Sequence, residues 1–526
     1  MRMDQASEIV VASSRARLAR PWLFLIIAFG ICLRMVYFSN EIGGSHTFRQ
    51  AMVANQIDTF KTEPYPGPKL ALLERYDQVY GYGVVFFDTP IYQYVAAKLS
   101  DLLGMNSVRA ARLLNLAIYV GLCLVLHGII TEIGLGLSVS YLTQILMAVS
   151  PLSIQHTLGI YPDTLATLAA FASFHALLRY ERRRSWQLFL AALLLGVICT
   201  LIKLSIYVMF GLAYAWNLLW NLRWKIFRRV DAIVLGILIL CSVAAFPLER
   251  SFFNHSQPFQ AASLDESFML DWFIGPASLR LEWMPWHEIG ARFAFEYLFP
   301  LFTPFTILAL WRVIRAFVRK PDDPQRTLLG LSVGALAMML VFFNVFFRHD
   351  YYAMPLIPVY CALTSIGLLY TWSAFGMRFS DSPRVYVSLA VAATCVSIYY
   401  AYSLRLMSYS GNAASIATGI DIQELVPADG YLFYFFGADY IDPEYLYYAR
   451  RRGVLSSFDN MNEDYIKTII TTHGWDPQNT YLLALGYRGR ADLKEKLIGQ
   501  LDKHDLKELG TTYDKGVVYR LSPKTR

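Results

Sequence analysis

The sequence predicts an α-helical polytopic membrane protein of about eleven transmembrane helices, with a small α/β domain after the last of them. Three observations predict it. Hydrophobic residues make up 56% of the 526 residues and charged residues only 17%, against about a quarter in a soluble chain. The apolar residues gather in eleven runs, at 21–39, 110–130, 136–156, 162–180, 186–202, 204–221, 231–248, 291–314, 328–347, 352–373 and 385–406. Each is about the 17–25 residues a span needs. The basic loop residues then fall on one side of the bilayer.

The loop charges set the orientation. Arg15, Arg17 and Arg20 precede the first run, and Arg179, Arg182, Arg183 and Arg184 lie between the fourth and fifth. Arg223, Lys225, Arg228 and Arg229 follow the sixth, and Arg312, Arg315, Arg319, Lys320 and Arg326 join the eighth to the ninth. With eleven spans all of these share one face, which the excess of Lys and Arg in cytoplasmic loops makes the cytoplasm. One span more or fewer would scatter them. The N-terminus is then inside, in a plasma (inner) membrane protein whose C-terminal domain is external or periplasmic. The first run lacks a small-residue cleavage motif and reads as a permanent anchor.

The net charge of +7 raises nucleic acid as a partner. The basic residues, however, sit in short loops between apolar runs, where they face anionic lipid instead. All six cysteines (Cys32, Cys123, Cys199, Cys241, Cys361 and Cys395) lie in apolar runs, so the external domain has no disulfide framework.

Residues 1–409 read as a transmembrane core and 410–526 as the external domain. Two outer loops, about 40–109 and 250–290, are too long for simple connectors. The first holds a helix from Thr47 to Phe60, with Ser45 as N-cap, a Pro/Gly/Tyr-rich passage, and an amphipathic helix from about Pro90 to Leu103. The second is rich in aromatics (Phe252, Phe253, Trp272, Phe273, Trp283, Trp286) that suit a membrane interface. In the last domain Tyr431 to Phe436 and Tyr481 to Leu485 read as buried strands, Tyr465 to Thr472 and Ala491 to Leu501 as helices.

Ionisable groups at membrane depth are costly and face a cavity more often than lipid. Arg34 lies inside the first run near its outer end, Lys203 at the outer junction of the fifth and sixth, and Arg348-His349-Asp350-Tyr351-Tyr352 at the outer end of the ninth. Three cations at one depth suit a phosphate held at the membrane surface; the bland reading is snorkelling to the headgroups. In the first outer helix His46, Arg49 and Gln50 fall at i, i+3 and i+4 and share a face, either toward a cavity or toward solvent. Asp163 follows Pro162 at the start of the fourth run and Asp88 precedes Pro90; each is either functional or complements a helix N-terminus. Glu41 stands just beyond the first span. No Ser-His-Asp spacing, Walker loop, GxGxxG or zinc cysteine pair is present, which leaves hydrolase, ATPase and nucleotide-sugar readings without support.

Three motifs carry a resemblance: His46-Thr47-Phe48-Arg49-Gln50-Ala51, Tyr161-Pro162-Asp163, and His349-Asp350-Tyr351-Tyr352-Ala353-Met354-Pro355-Leu356-Ile357-Pro358. Over about residues 20–406, and more loosely beyond, the chain resembles the polytopic GT-C glycosyltransferases of the protein-mannosyltransferase and aminoarabinose-transferase type. Phe87-Asp88-Thr89-Pro90-Ile91-Tyr92 is similar to that family's acid-Lys-Pro-Pro element, with Thr89 where a lysine is often found. The family commonly has an Asp-Glu pair after the first span, the aspartate acting as base; this chain has Glu41 and then His46 there.

The resemblance implies transfer of a monosaccharide from a polyprenyl-phosphate donor to a hydroxyl of a lipid, glycan or protein on the outer face. It implies Glu41 or His46 as base, with Asp163 orienting the acceptor or the helix. Arg49, Gln50, Lys203, Arg348, His349 and Tyr352 would hold the donor phosphate, and Asp88 the acceptor or a divalent metal. A transporter or flippase of lipid-linked sugars is the rival class, but such proteins tend to show internal repeats and matching broken helices, and none is visible in this sequence.

Overall fold

The computed structural model describes residues 21–36, 38–43, 46–62, 89–223, 236–237, 239–245, 272–298, 300–319, 323–374, 413–436, 444–457, 462–485, 491–501 and 503–524. In chain order its helices are α1 (Pro21–Met35), α2 (Thr47–Thr62), α3 (Ile91–Leu103), α4 (Ser107–Glu132), α5 (Leu137–Val149), α6 (Pro151–Leu158), α7 (Asp163–Arg183) and α8 (Trp186–Arg223). Then come α9 (Trp283–Arg292), α10 (Thr303–Arg319), α11 (Asp323–Val341), α12 (Phe343–Arg348), α13 (Leu356–Ala374), α14 (Ala413–Leu425), α15 (Glu444–Ala449), α16 (Glu463–His473) and α17 (Ala491–Gln500). Strands β1 (Tyr431–Phe436), β2 (Arg452–Ser457), β3 (Thr480–Leu485), β4 (His504–Thr511) and β5 (Val517–Pro523) complete it.

The described residues divide into two compact units, the first built on residues up to Ser39, from Arg112 to Glu249 and from Met269 to Met407. Among them five helices are long and apolar enough to cross a membrane, six if the bent pair α5–α6 counts as one span. The expected run at 385–406 and half of that at 231–248 lie outside the described residues, as do Ser45, Phe252 and Phe253. The run expected at 136–156 is broken. Pro151 cannot continue α5, Ser150 Oγ accepts from the Ser153 N–H at 3.3 Å, and α6 leaves at 61°.

The expected pair 186–202 and 204–221 forms the two arms of α8. Lys203 between them is extended, at φ −158° and ψ 93°. A Cβ at Gly196 would stand 3.1 Å from the Tyr207 ring, whereas eleven residues of straight helix cover about 16 Å. The chain therefore turns back at Lys203. Both arms pack on α7. Ser173 Oγ donates to the Ala192 carbonyl at 2.7 Å, and Phe171 and Phe174 meet Phe210 with ring centroids 4.8 and 5.8 Å apart.

Arg34 is fully buried and all five of its N–H groups are engaged. Nη1 donates to the carbonyls of Gly30 (2.9 Å) and Ala148 (3.0 Å), Nη2 to the Met147 carbonyl (3.2 Å) and Ser153 Oγ (2.7 Å), and Nε to Thr157 Oγ1 (3.2 Å). Its guanidinium carbon lies 3.9 Å from the Tyr119 ring centroid. Met147 and Ala148 end α5, where carbonyls lack helical partners and carry the negative end of the helix dipole. Arg34 thus ties α1 to the α5–α6 break, which accounts for its charge without a ligand. Arg34→Met, which strands these carbonyls in an apolar setting, is expected to cost about 3–5 kcal/mol. Thermal unfolding of the purified protein checks this, and an unchanged Tm would refute it.

The second unit holds Asn40–Ala111 and Ser408–Arg526. Its sheet has the order β2-β1-β3-β5-β4, with β1 parallel to β2 and β3, and β5 antiparallel to β3 and β4. Side chains alternate across β1, as strand geometry requires. Phe433 and Phe435 join a core with Tyr465, Ile469 and Leu497 of α16 and α17. Leu432 and Tyr434 join another with Ile422 of α14 and Ala449 of α15, against which Phe48 of α2 packs. Both faces are covered, which is why β1 reads as an unbroken apolar run. Gly104 ends α3 in the left-handed conformation at φ 62°, and Asn106 Oδ1 accepts from the Arg109 N–H at 2.8 Å to open α4.

Candidate active site

In the first unit two of the sequence motifs and the Lys203 turn come together. Pro162 leads into α7 and places Asp163 on its first turn, fully buried. Lys203, pushed out of helical geometry, points its ammonium at that carboxylate, with Nζ 3.8 Å from Oδ1. The same ammonium lies 4.8 Å from the ring centroid of Tyr352. Tyr161 stacks on Tyr351 at 5.6 Å. His349 stacks on Tyr351 at 5.2 Å and faces Trp272 at 5.7 Å and Tyr352 at 6.4 Å. Asp350 is buried and accepts from Gln155 Nε2 at 3.3 Å.

The result is a buried carboxylate–ammonium pair walled by aromatic rings, beside a second buried carboxylate. Removing such charges from water is costly, and their pairing offsets only part of that cost. Arg348 is exposed; its Nε donates to Asn344 Oδ1 at 2.9 Å and its guanidinium carbon lies 5.9 Å from the Trp272 ring. Gln155 and His156 were not singled out from the sequence. Two polar residues inside an apolar run, just after Ser150-Pro151, were the available signal.

The second unit holds the other sequence-predicted residues. His46 precedes α2 with a left-handed φ of 54°, so it stands outside the helix and helical spacing does not align it with Arg49. Gln50 is fully buried, and its Nε2 donates to the Gly43 carbonyl at 2.9 Å. Glu41 is exposed, while Arg49 is half-buried. The Tyr448 hydroxyl donates to the Ile42 carbonyl at 3.3 Å and Gln93 Nε2 to Gln56 Oε1 at 2.7 Å, ties that fix the Glu41 segment and α2. Removal from water pushes the half-buried Tyr447 phenol well above its ordinary range, and the carboxylates of Asp58 and Glu41 add to the shift. Asp58, which accepts a hydrogen bond from Ser107 Oγ, is a carboxylate that motif reasoning passed over.

Asp88 lies outside the described residues. Among the described residues no three His, Cys, Asp or Glu side chains gather as a metal site, and Asp163 faces an ammonium.

No family model matches the chain, and no curated protein matches its sequence. Solved structures do match. ArnT from Cupriavidus metallidurans, in a structure bound to undecaprenyl phosphate, aligns over 95% of this chain and 98% of its own at TM-score 0.58 and 13% identity. The Archaeoglobus fulgidus oligosaccharyltransferase aligns over 96% and 74% at 0.57 and 11% identity. Arabinofuranosyltransferase AftD from Mycobacteria aligns over 96% of this chain and 40% of its own at 0.53 and 13% identity. The fold is therefore that of the GT-C membrane glycosyltransferases, as the three motifs led us to expect.

Proposed function

We propose that the chain is a membrane glycosyltransferase that moves a monosaccharide from a polyprenyl-phosphate donor to a hydroxyl acceptor on the outer face of the membrane. The observation that carries this reading is the buried Asp163–Lys203 pair beside Tyr352, in a fold that one solved relative displays with undecaprenyl phosphate bound. In the reaction the acceptor oxygen attacks the anomeric carbon and gives its proton to a protein base. The bond from that carbon to the phosphate oxygen breaks, and the polyprenyl phosphate leaves with the electron pair. Lys203, Arg348 and His349 supply positive or polar contacts to the departing phosphate, which act more strongly in a water-poor setting than in water. Tyr352 orients the Lys203 ammonium through its ring face. Arg49, Gln50 and His46 remain proposed donor ligands on the resemblance of their motif, Asp88 a proposed acceptor or metal ligand, and Glu41 the proposed base. The polyprenyl tail lies in the membrane.

Detergent-solubilised protein is expected to release polyprenyl phosphate from a labelled polyprenyl-phosphate sugar only when a hydroxyl acceptor is supplied. Movement of the intact donor across sealed vesicles without release would establish a flippase instead. In intact cells, a cysteine introduced at Asp476 should react with an impermeant label from outside and one at Arg183 should not, as the one-sided loop arginines require. The reverse pattern would refute the outer-face assignment.

A further inference from the structure

The first unit carries a second charged site at the other end of α13 from the His349–Tyr352 turn. Tyr370 lies fourteen residues into α13, so about 21 Å along its axis separates the two. There a cavity of about 560 Å³ is walled by Arg312, Arg315 and Arg319 of α10, Gln325 of α11 and Tyr370. Among the described residues no acidic side chain lines it. The arginines fall at i, i+3 and i+7, on one helix face, where like charges repel. Arg312 stands with its guanidinium carbon 2.9 Å from the Tyr370 ring centroid, and its Nε is shielded from solvent without a hydrogen bond, as is Gln325 Oε1. Arg315 lies over the Trp311 ring at 5.2 Å.

Three guanidinium forks on one concave wall fit the oxygens of a phosphate, which they can bind in bidentate fashion. What identifies the source of that phosphate is the neighbouring face of α10. Ile307, Trp311, Ile314 and Val318 are 64%, 49%, 43% and 76% exposed and fall at i, i+4, i+7 and i+11, a continuous apolar stripe beside the arginines. A soluble anion has no use for such a stripe; an acyl chain does. We propose that this cavity binds the phosphate of an anionic phospholipid, with its chains along the stripe, in the leaflet opposite the proposed sugar-transfer site. The inference rests on the chain spanning a membrane and stands or falls apart from transferase activity.

The test is native mass spectrometry of the full chain released from nanodiscs containing equal phosphatidylglycerol and phosphatidylcholine of matched chains. Wild type is expected to retain phosphatidylglycerol in preference. Each charge-assisted guanidinium contact to the phosphate contributes roughly tenfold in affinity, so R312Q/R319Q should weaken retention roughly 100-fold. R183Q/R184Q, with the same charge loss at the same end of the unit, should leave it unchanged. R312K/R319K, which keeps the charge without the fork, should fall between and carries the test if the glutamine variant does not fold. Equal retention of the two lipids by wild type, or an equal loss in the control, would overturn the proposal. Displacement of the lipid by millimolar inorganic phosphate would overturn the lipid assignment in favour of a soluble anion.

Discussion

Lys203→Met is expected to lower kcat/KM for the polyprenyl-phosphate donor by about ten- to a hundredfold, the effect of losing one charge-assisted contact worth about 1.5–3 kcal/mol. It should also destabilise the protein, for a separate reason. Asp163 is fully buried with the ammonium 3.8 Å away, and removing one partner of a buried pair leaves an uncompensated charge at a cost of about 3–5 kcal/mol. The two effects come apart in the double variant. Lys203→Met with Asp163→Asn neutralises the pair as a unit, so thermal stability should recover toward wild type while donor use stays low. Arg348→Ala is the companion. Arg348 is exposed, so its loss should reduce donor use with little change in Tm. Normal transfer by the double variant would show that the pair is a structural element of the α7–α8 corner and would remove it from the active site.

The contrast between Lys203 and Arg34 shows what the sequence can and cannot carry. Both are cations interrupting apolar runs, and by residue type and depth they send the same signal. Lys203 lies where two runs of spanning length meet, so its turn was legible. Arg34 is locked by carbonyls 113 and 114 residues away at the end of α5, a relation that spacing does not encode. The same limit hid Asp58, whose partner Ser107 is 49 residues on. In the C-terminal domain β1 and β3 were legible because central strands buried on both faces are apolar throughout. β4 is an edge strand with mostly polar residues, HDLKELGT, and such a strand has no pattern to separate it from a loop. The spacing argument for His46 meets a different limit. The i, i+3, i+4 argument presumes that the helix has begun, and His46 stands one residue before it in a left-handed conformation.

The largest single effect expected is on the base. A general base contributes about 10²–10⁴ in rate, so its removal should exceed the loss at Lys203. Four groups are to be separated. Asp163 is held against the Lys203 ammonium, which suits it to position that cation; Asp163→Asn should resemble Lys203→Met and show little further loss when combined with it. Glu41 is exposed, and with Asp58 it acts on the Tyr447 phenol, so its carboxylate can reach water-borne acceptors. Glu41→Gln keeps the size and hydrogen-bonding edge while removing the proton-accepting charge, and it should be nearly inactive with KM for the donor unchanged. Asp58→Asn tests the neighbouring carboxylate and should retain most activity. His46 needs a replacement that tolerates its φ of 54°; Asn does so where Ala would add strain. His46→Asn should raise the donor KM more than it lowers kcat, as a phosphate ligand would. If Glu41→Gln stays within about tenfold of wild type, a smaller loss than base removal causes, the proton goes elsewhere. A dead His46→Asn or Asp58→Asn in the same series would then name the group that takes it.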